Sequence, residues 1–305
     1  MRQMCFQNEL DKRVEKAEKI ISGYLPAKAV HQHTVIDAME YSVLAGGKRL
    51  RPVIMQAVWE MFGSKEDIAP FMAAMEMIHT YSLVHDDLPE MDNDELRRGK
   101  PTTHVQYGQA MAVLAGDGLL NYAYETMLKA AQKAEDKSAF IRAMSLLAEK
   151  AGIYGMVGGQ CLDVEAEEKG IELSEEQIRF VYENKTAALL QASLMCGAYL
   201  AKDEDAAAVL EKAGYDLGIA FQLQDDILDI ESTTQELGKP VGSDERNGKK
   251  TYVSFLGIDT AKKEQERLSG EAVELIGSIA VSGAERENAK RFLMELIRSL
   301  TGRKK

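Results

Sequence analysis

Apolar positions recur every three or four residues along almost all of the 305-residue chain, the spacing that gathers them on one face of a helix. Alternating β-branched runs joined by hairpin turns do not occur. The pattern predicts helices near residues 5–23, 34–45, 52–62, 70–88, 105–134, 137–167, 174–200, 204–231, 251–265, 270–280 and 284–300. Pro26, Pro52, Pro70, Pro101 and Pro240 fall at helix starts or in loops, where a missing N–H is tolerated. No linker rich in Gly, Ser or Pro divides the chain. The expectation is an all-α protein, one domain over residues 1–305, with long helices bundled around a shared core.

Two of these helices carry their carboxylates where apolar residues demand burial. The segment "PFMAAMEMIHTYSLVHDDL" (70–88) is apolar nearly all round until Asp86 and Asp87. In "FQLQDDILDI" (221–230), Asp225, Asp226 and Asp229 sit among Phe221, Leu223, Ile227 and Leu228. An unpaired carboxylate in a core is costly, so a positive partner is implied. Asp225 and Asp229, four apart, share a helical face, where like charges repel unless a cation lies between them. Asp86 and Asp92 would point about 120° apart on a regular helix. Pro89 interrupts the helix and allows Asp92 to swing back. All-oxygen ligation without Cys points to a hard cation, Mg²⁺ first, which keeps waters and shares phosphate oxygens. An EF-hand does not fit, since the sixth-position Gly and twelfth-position Glu are missing. The plain alternative is a solvated acidic face.

Charge and composition narrow the partners. A net charge of −12, with no long basic block, argues against nucleic acid. Cys5, Cys161 and Cys196 lack metal or disulfide spacing and read as free thiols of a reducing compartment. The charged N-terminus has no apolar signal-peptide core, and the longest uncharged run, 186–201, is short for a transmembrane span. The expectation is a cytoplasmic protein.

Basic residues stand ready for phosphate. "GGKRLRP" (46–52) sets Lys48 and Arg51 behind two glycines, although a helix-ending Gly with basic neighbours is also common. Arg97 and Arg98 follow the first aspartates, and Arg suits bidentate phosphate contact. Lys185 and Thr186 open the uncharged run; Lys185 either snorkels or faces a polar cavity. His79 lies two turns before Asp86 and reads as a core histidine or as part of one cleft with it.

The order GGKRLRP, DDLPEMDND with ELRRG, GGQCLD (158–163), KT (185–186), FQLQDDILD and GK…GSD…GKKTY (238–252) resembles the trans-isoprenyl diphosphate synthases, most of all the bacterial farnesyl diphosphate synthases. The resemblance runs from about residue 34 to the C-terminus; Glu90 is an extra acid inside the first motif. It implies the isoprenoid synthase fold, a homodimer, and the joining of isopentenyl diphosphate to dimethylallyl or geranyl diphosphate. On that pattern Asp86, Asp92 and Asp225 hold Mg²⁺, about three ions with substrate bound, with Asp87, Asp226 and Asp229 as partial ligands. Arg97, Lys185, Lys239 and Lys249 add positive charge to the allylic diphosphate. Thr186 and Gln222 oxygens stabilise the allylic cation. Lys48, Arg51, His79 and Arg98 hold isopentenyl diphosphate, and loop 238–250 closes over the site. Tyr81, with Ser82 beside it, lies roughly 6–7.5 Å beyond Asp86 along the helix and would floor the cavity at a fifteen-carbon product. A geranylgeranyl-forming enzyme and a non-catalytic diphosphate-binding homologue are the alternatives.

Overall fold

The segments with the most apolar surface sit at the centre because burial of each large apolar side chain stabilises by roughly 1.5–3 kcal/mol. In the computed structural model, residues 2–28, 30–135, 137–231 and 251–302 are described, with side chains from residue 6 onward. They form α1 (Arg2–Gly23), α2 (His33–Val43), α3 (Leu50–Phe62), α4 (Ala69–Asp86), β1 (Leu96–Arg97), β2 (Lys100–Pro101), α5 (Thr103–Tyr107), α6 (Gln109–Lys133), α7 (Lys137–Ala151), α8 (Met156–Lys169), α9 (Glu175–Val181), a π-helical segment (Tyr182–Ala187), α10 (Ala188–Leu200), α11 (Asp205–Glu231), α12 (Tyr252–Leu256), α13 (Ile258–Ser278) and α14 (Ala284–Thr301). The all-α expectation holds. Helix α4 packs against α6 and α3, α10 against α3, α7 and α11, and α11 against α13. Phe71, Met72, Met75 and Ile78 of α4 and Leu189 and Leu194 of α10 are fully buried in the main core. A smaller core of Ile178, Ile219, Leu223, Ile227, Val253 and Leu268 ties α9, α11, α12 and α13 together.

Several predicted boundaries move, each for a local reason. The 105–134 helix divides at Gly108, whose φ of 87° is closed to most side chains. The 137–167 helix divides at 152–155, a turn in which a Cβ on Gly155 would lie 2.1 Å from the Lys150 carbonyl oxygen. The break expected between 265 and 270 is absent. There Arg267 pairs with Glu264 at 2.6 Å and Glu271 at 2.5 Å, which supports the helix through Gly270. The chain breaks instead at Gly257. The 174–200 helix is continuous, but its middle widens into the π-helical turn that carries Lys185 and Thr186. Such bulges cluster at functional sites because they re-aim side chains.

Three features position the site. The chain after α4 reverses: the Asp92 N–H donates to the Asp86 carbonyl at 2.8 Å, and Asn93, in the left-handed region, donates to Leu88 at 3.0 Å. Arg98 and Gly99, both with positive φ, form the two-residue turn of the β1–β2 hairpin, pairing Arg97 with Lys100. Close helix approach does the rest. A Cβ on Gly159 would lie 2.3 Å from the Lys185 nitrogen, and one on Gly218 would lie 2.2 Å from the Ala187 Cβ, so α8 and α11 clamp the π-helical turn from both sides.

Candidate active site

A cavity of about 690 Å³ opens between α3, α4, α8 and the π-helical turn. Arg51, His79, Asp86, Gln160, Lys185 and Thr186 supply its polar lining, while Tyr81, Leu83, Met91, Met156, Val157 and Val164 supply an apolar one. Seven residues assigned from the sequence therefore meet in one space: Arg51, His79, Tyr81, Ser82, Asp86, Lys185 and Thr186. The α4 helix carries four of the positions, because 79, 82 and 86 recur on one of its faces.

The electrostatics favour an incoming charge of each sign. Burial pushes the Asp86 carboxyl up to about 6; Lys185 opposes this, and Asp92 and Asp87 reinforce it. Gln160 donates to Asp86 Oδ1 at 2.8 Å. Elsewhere in the lining, burial lowers the Arg51 guanidinium to about 10, with Glu76 opposing. Its Nε is buried without a partner. Burial, then the charges of Arg51, Arg98, Arg97 and Arg49, hold the His79 imidazole well below its ordinary value. Neutral His79 accepts from Arg51 Nη1 at 3.3 Å through Nε2. A desolvated guanidinium with a spare N–H is suited to an anion.

Adjacent residues part company. Asp87, 3% exposed, receives Arg97 Nε at 2.7 Å and 2.9 Å and Nη2 at 2.5 Å. Both line a separate small crevice with Thr80, Arg98 and Thr103. Arg97 thus pairs with Asp87 and stands outside the main cavity. Arg98 Nη1 donates to the Gly46 carbonyl, and its guanidinium occupies the space a Cβ on Gly47 would need. That contact brings the two glycines of GGKRLRP onto the second arginine motif. Lys48 is exposed. Between it and Arg51, Arg49 takes a left-handed φ of 48° and pairs with Glu76 at 2.6 Å, both side chains 2% exposed. Glu76, an acid in the middle of the apolar stretch of α4, was the signal for that pair.

The second aspartate segment ends α11. Asp225 is half-buried, and Asp226 and Asp229 are buried. Gln222 Nε2 donates to Asp226 Oδ1 at 3.1 Å, and the Tyr182 hydroxyl donates to Oδ2. The Gln222 oxygen is turned to Thr186, which donates to it at 3.0 Å, so Gln222 reaches the cavity through Thr186. Lys185 donates to Asp163 Oδ2 at 2.6 Å. Gln160 and Asp163 both belong to GGQCLD, whose motif is the only sequence signal for them; Tyr182 carries none. Lys239 and Lys249 lie outside the described residues.

Among the described residues, no three His, Cys, Asp or Glu groups converge on one point that could hold a metal ion. The donor chemistry nevertheless fits Mg²⁺. Asp86 is a half-buried carboxyl raised by desolvation and further by Asp92 and Asp87, a repulsion that a divalent cation relieves. Cys161 is exposed and Cys196 buried, and both are free thiols.

The helical layers and the cavity define the all-α isoprenyl diphosphate synthase fold. A geranyltransferase from Helicobacter pylori, solved with magnesium and isoprenyl diphosphate, superposes with a TM-score of 0.80 at 30% identity, covering 97% of this chain and 96% of that one. Residues 32–280 match the profile of the polyprenyl synthetase family, and the chain belongs to that family. It is 42% identical to the farnesyl diphosphate synthase of Geobacillus stearothermophilus over 271 residues, 87% of this chain and 89% of the relative. It is 46% identical to the chloroplastic geranylgeranyl pyrophosphate synthase of Catharanthus roseus over 242 residues, 78% of this chain and 67% of the relative.

Proposed function

We propose that the chain is a Mg²⁺-dependent trans-prenyltransferase, acting as a single domain, that condenses isopentenyl diphosphate with dimethylallyl and then geranyl diphosphate to give farnesyl diphosphate. The observation that carries this reading is one cavity lined by Asp86, Lys185, Arg51 and His79 together with apolar Tyr81, Met91, Met156 and Val164. Bound Mg²⁺ would neutralise the allylic diphosphate and stabilise it as a leaving group, with Asp86, Asp92 and Asp225 holding it and Asp87, Asp226 and Asp229 supporting them. Lys185, kept in place by Asp163, adds a fixed positive charge to the same group. Arg97 orders this end through Asp87, and Lys239 and Lys249 contribute further charge. Arg51, with its spare Nε–H, Arg98 and Lys48 bind isopentenyl diphosphate, and His79 keeps Arg51 aimed. Such positioning converts a bimolecular step into a local one. The departing diphosphate takes the proton, so no side-chain base is needed.

Tyr81, 7% exposed and set edge-on to His85 at 5.8 Å, favours the fifteen-carbon product over the twenty-carbon one. A homodimer is part of the reading. Val113, Leu114 and Leu128 of α6 and Ile153 and Tyr154 before α8 are exposed apolar residues, and sedimentation should give twice the monomer mass. No helix among the described residues is long and apolar enough to cross a membrane. A cytoplasmic site of action accords with water-soluble diphosphate substrates. The deciding experiment incubates the protein with isopentenyl and dimethylallyl diphosphates and Mg²⁺ and identifies products by mass spectrometry. Farnesyl diphosphate is expected; no condensation product would overturn the reading.

A further inference from the structure

The cavity wall at Thr186 is tied into a hydrogen-bond chain whose direction is set from its middle. Asp226 is 3% exposed, and as a carboxylate it only accepts. It takes the Gln222 Nε2 proton at 3.1 Å on one oxygen and the Tyr182 hydroxyl proton on the other. With its amide nitrogen so committed, Gln222 presents Oε1 to Thr186, and the Thr186 hydroxyl donates to it at 3.0 Å. At the far end the Tyr252 backbone N–H, a donor only, meets the Tyr182 oxygen at 3.0 Å. That contact turns the Tyr182 proton toward Asp226. The Tyr182 and Tyr252 rings meet at 6.1 Å, and the Tyr252 hydroxyl donates to Glu175 at 3.0 Å. Each group in the chain has one consistent orientation.

The consequence falls on Thr186, which lines the cavity. Its hydroxyl proton points into the wall toward Gln222, so its lone pairs are left for the cavity. In a water-poor space the sense of a dipole matters, because a reversed hydroxyl repels the cation it would otherwise stabilise. We propose that Tyr182 is a positioning residue: its hydroxyl fixes the placement of the Asp226 carboxylate, which through Gln222 sets the Thr186 hydroxyl so that oxygen lone pairs face the allylic cation as it forms. This rests on the prenyl-transfer reading and adds to it a residue remote from substrate. It also gives Asp226 a task inside the wall, separate from holding metal.

The test uses the full chain and the variants Tyr182→Phe, Thr186→Val and their combination. Turnover is measured alongside calorimetric affinity for geranyl S-thiolodiphosphate, an allylic analogue that resists ionisation, in the presence of Mg²⁺. Tyr182→Phe should lower kcat roughly ten-fold while analogue affinity stays within about two-fold. In the Thr186→Val background the same change should cost less than about two-fold, because the residue it acts through is already gone. Unchanged kcat, a parallel loss of analogue affinity, or a full effect in the Thr186→Val background would each overturn the proposal. Gln222→Leu breaks the chain from the other side and carries the same expectations if Tyr182→Phe fails to fold. An inactive wild-type protein would remove the prenyl-transfer reading and this proposal together, whereas an active wild type with an indifferent Tyr182→Phe removes only the latter.

Discussion

The C-terminal ends of α4 and α11 carry related aspartate patterns and treat them differently. At the end of α4 the neighbours split. Asp86 faces the cavity with its carboxyl raised to about 6, while Asp87 is locked to Arg97 in the adjacent crevice. The chain then doubles back through the Asp92–Asp86 backbone bond. In α11 the helix runs regularly through its aspartates to Glu231, and an amide and a phenol donate to Asp226. One end keeps a carboxyl charged at an energetic cost, ready for a cation. At the other, an amide and a phenol donate to the Asp226 carboxylate, which in turn orients them. A shared motif therefore does not imply a shared task, because the neighbours decide what each carboxylate can still accept.

The sharpest way to break this comparison is to remove the two neighbours separately. Asp86→Ala should lower turnover by about three orders of magnitude with little change in melting temperature. Asp87→Ala should instead lower stability by about 1–3 kcal/mol, since it leaves the half-buried Arg97 with only its longer contact to Asp94 at 3.8 Å. Thermal unfolding and steady-state rates on both variants check this, and equal loss of turnover without destabilisation in Asp87→Ala would erase the distinction. The cations divide similarly. Lys185→Ala should chiefly weaken the allylic substrate or slow its ionisation, and Arg51→Ala should chiefly raise KM for isopentenyl diphosphate, each by roughly ten- to hundred-fold. Both variants affecting one substrate alone would contradict two separate diphosphate positions.

Tyr81→Ala should move product from fifteen toward twenty carbons or longer, read by product chromatography. An unchanged product from an active, folded variant takes Tyr81 out of that role. The smallest effect is on stability against pH. The Asp86 carboxyl is raised, so the folded, metal-free protein binds its proton more tightly than the unfolded chain does. Stability therefore falls as pH rises from about 4 to about 6, by about 1 kcal/mol given partial solvent access. Asp86→Asn should flatten that slope in denaturant titrations, and saturating Mg²⁺ should oppose it in the wild type.

The sequence by itself determined the helical class, the burial of α4 and α10, and the candidates Arg51, His79, Asp86 and Lys185 that line one cavity. Periodicity and turn residues act locally, so Pro89 and the 3–4 spacing of 79, 82 and 86 were enough to put His79, Ser82 and Asp86 on one face. Helix ends were less legible. Gly108 and Gly257 break helices because of their left-handed backbone, whereas Gly270 does not, because Arg267 reaches across it to Glu271. Tertiary structure alone decided which charges are committed. Arg49 and Arg51 are two residues apart, yet one is sealed against Glu76 and the other faces the cavity. Gln160, Asp163 and Tyr182 reach Asp86, Lys185 and Asp226 across 74, 22 and 44 residues. The physical reason is that a hydrogen bond or ion pair depends on a few ångströms and an angle. Those are set by how α8, the π-helical turn and α11 close on one another, and no local spacing in the chain encodes that distance.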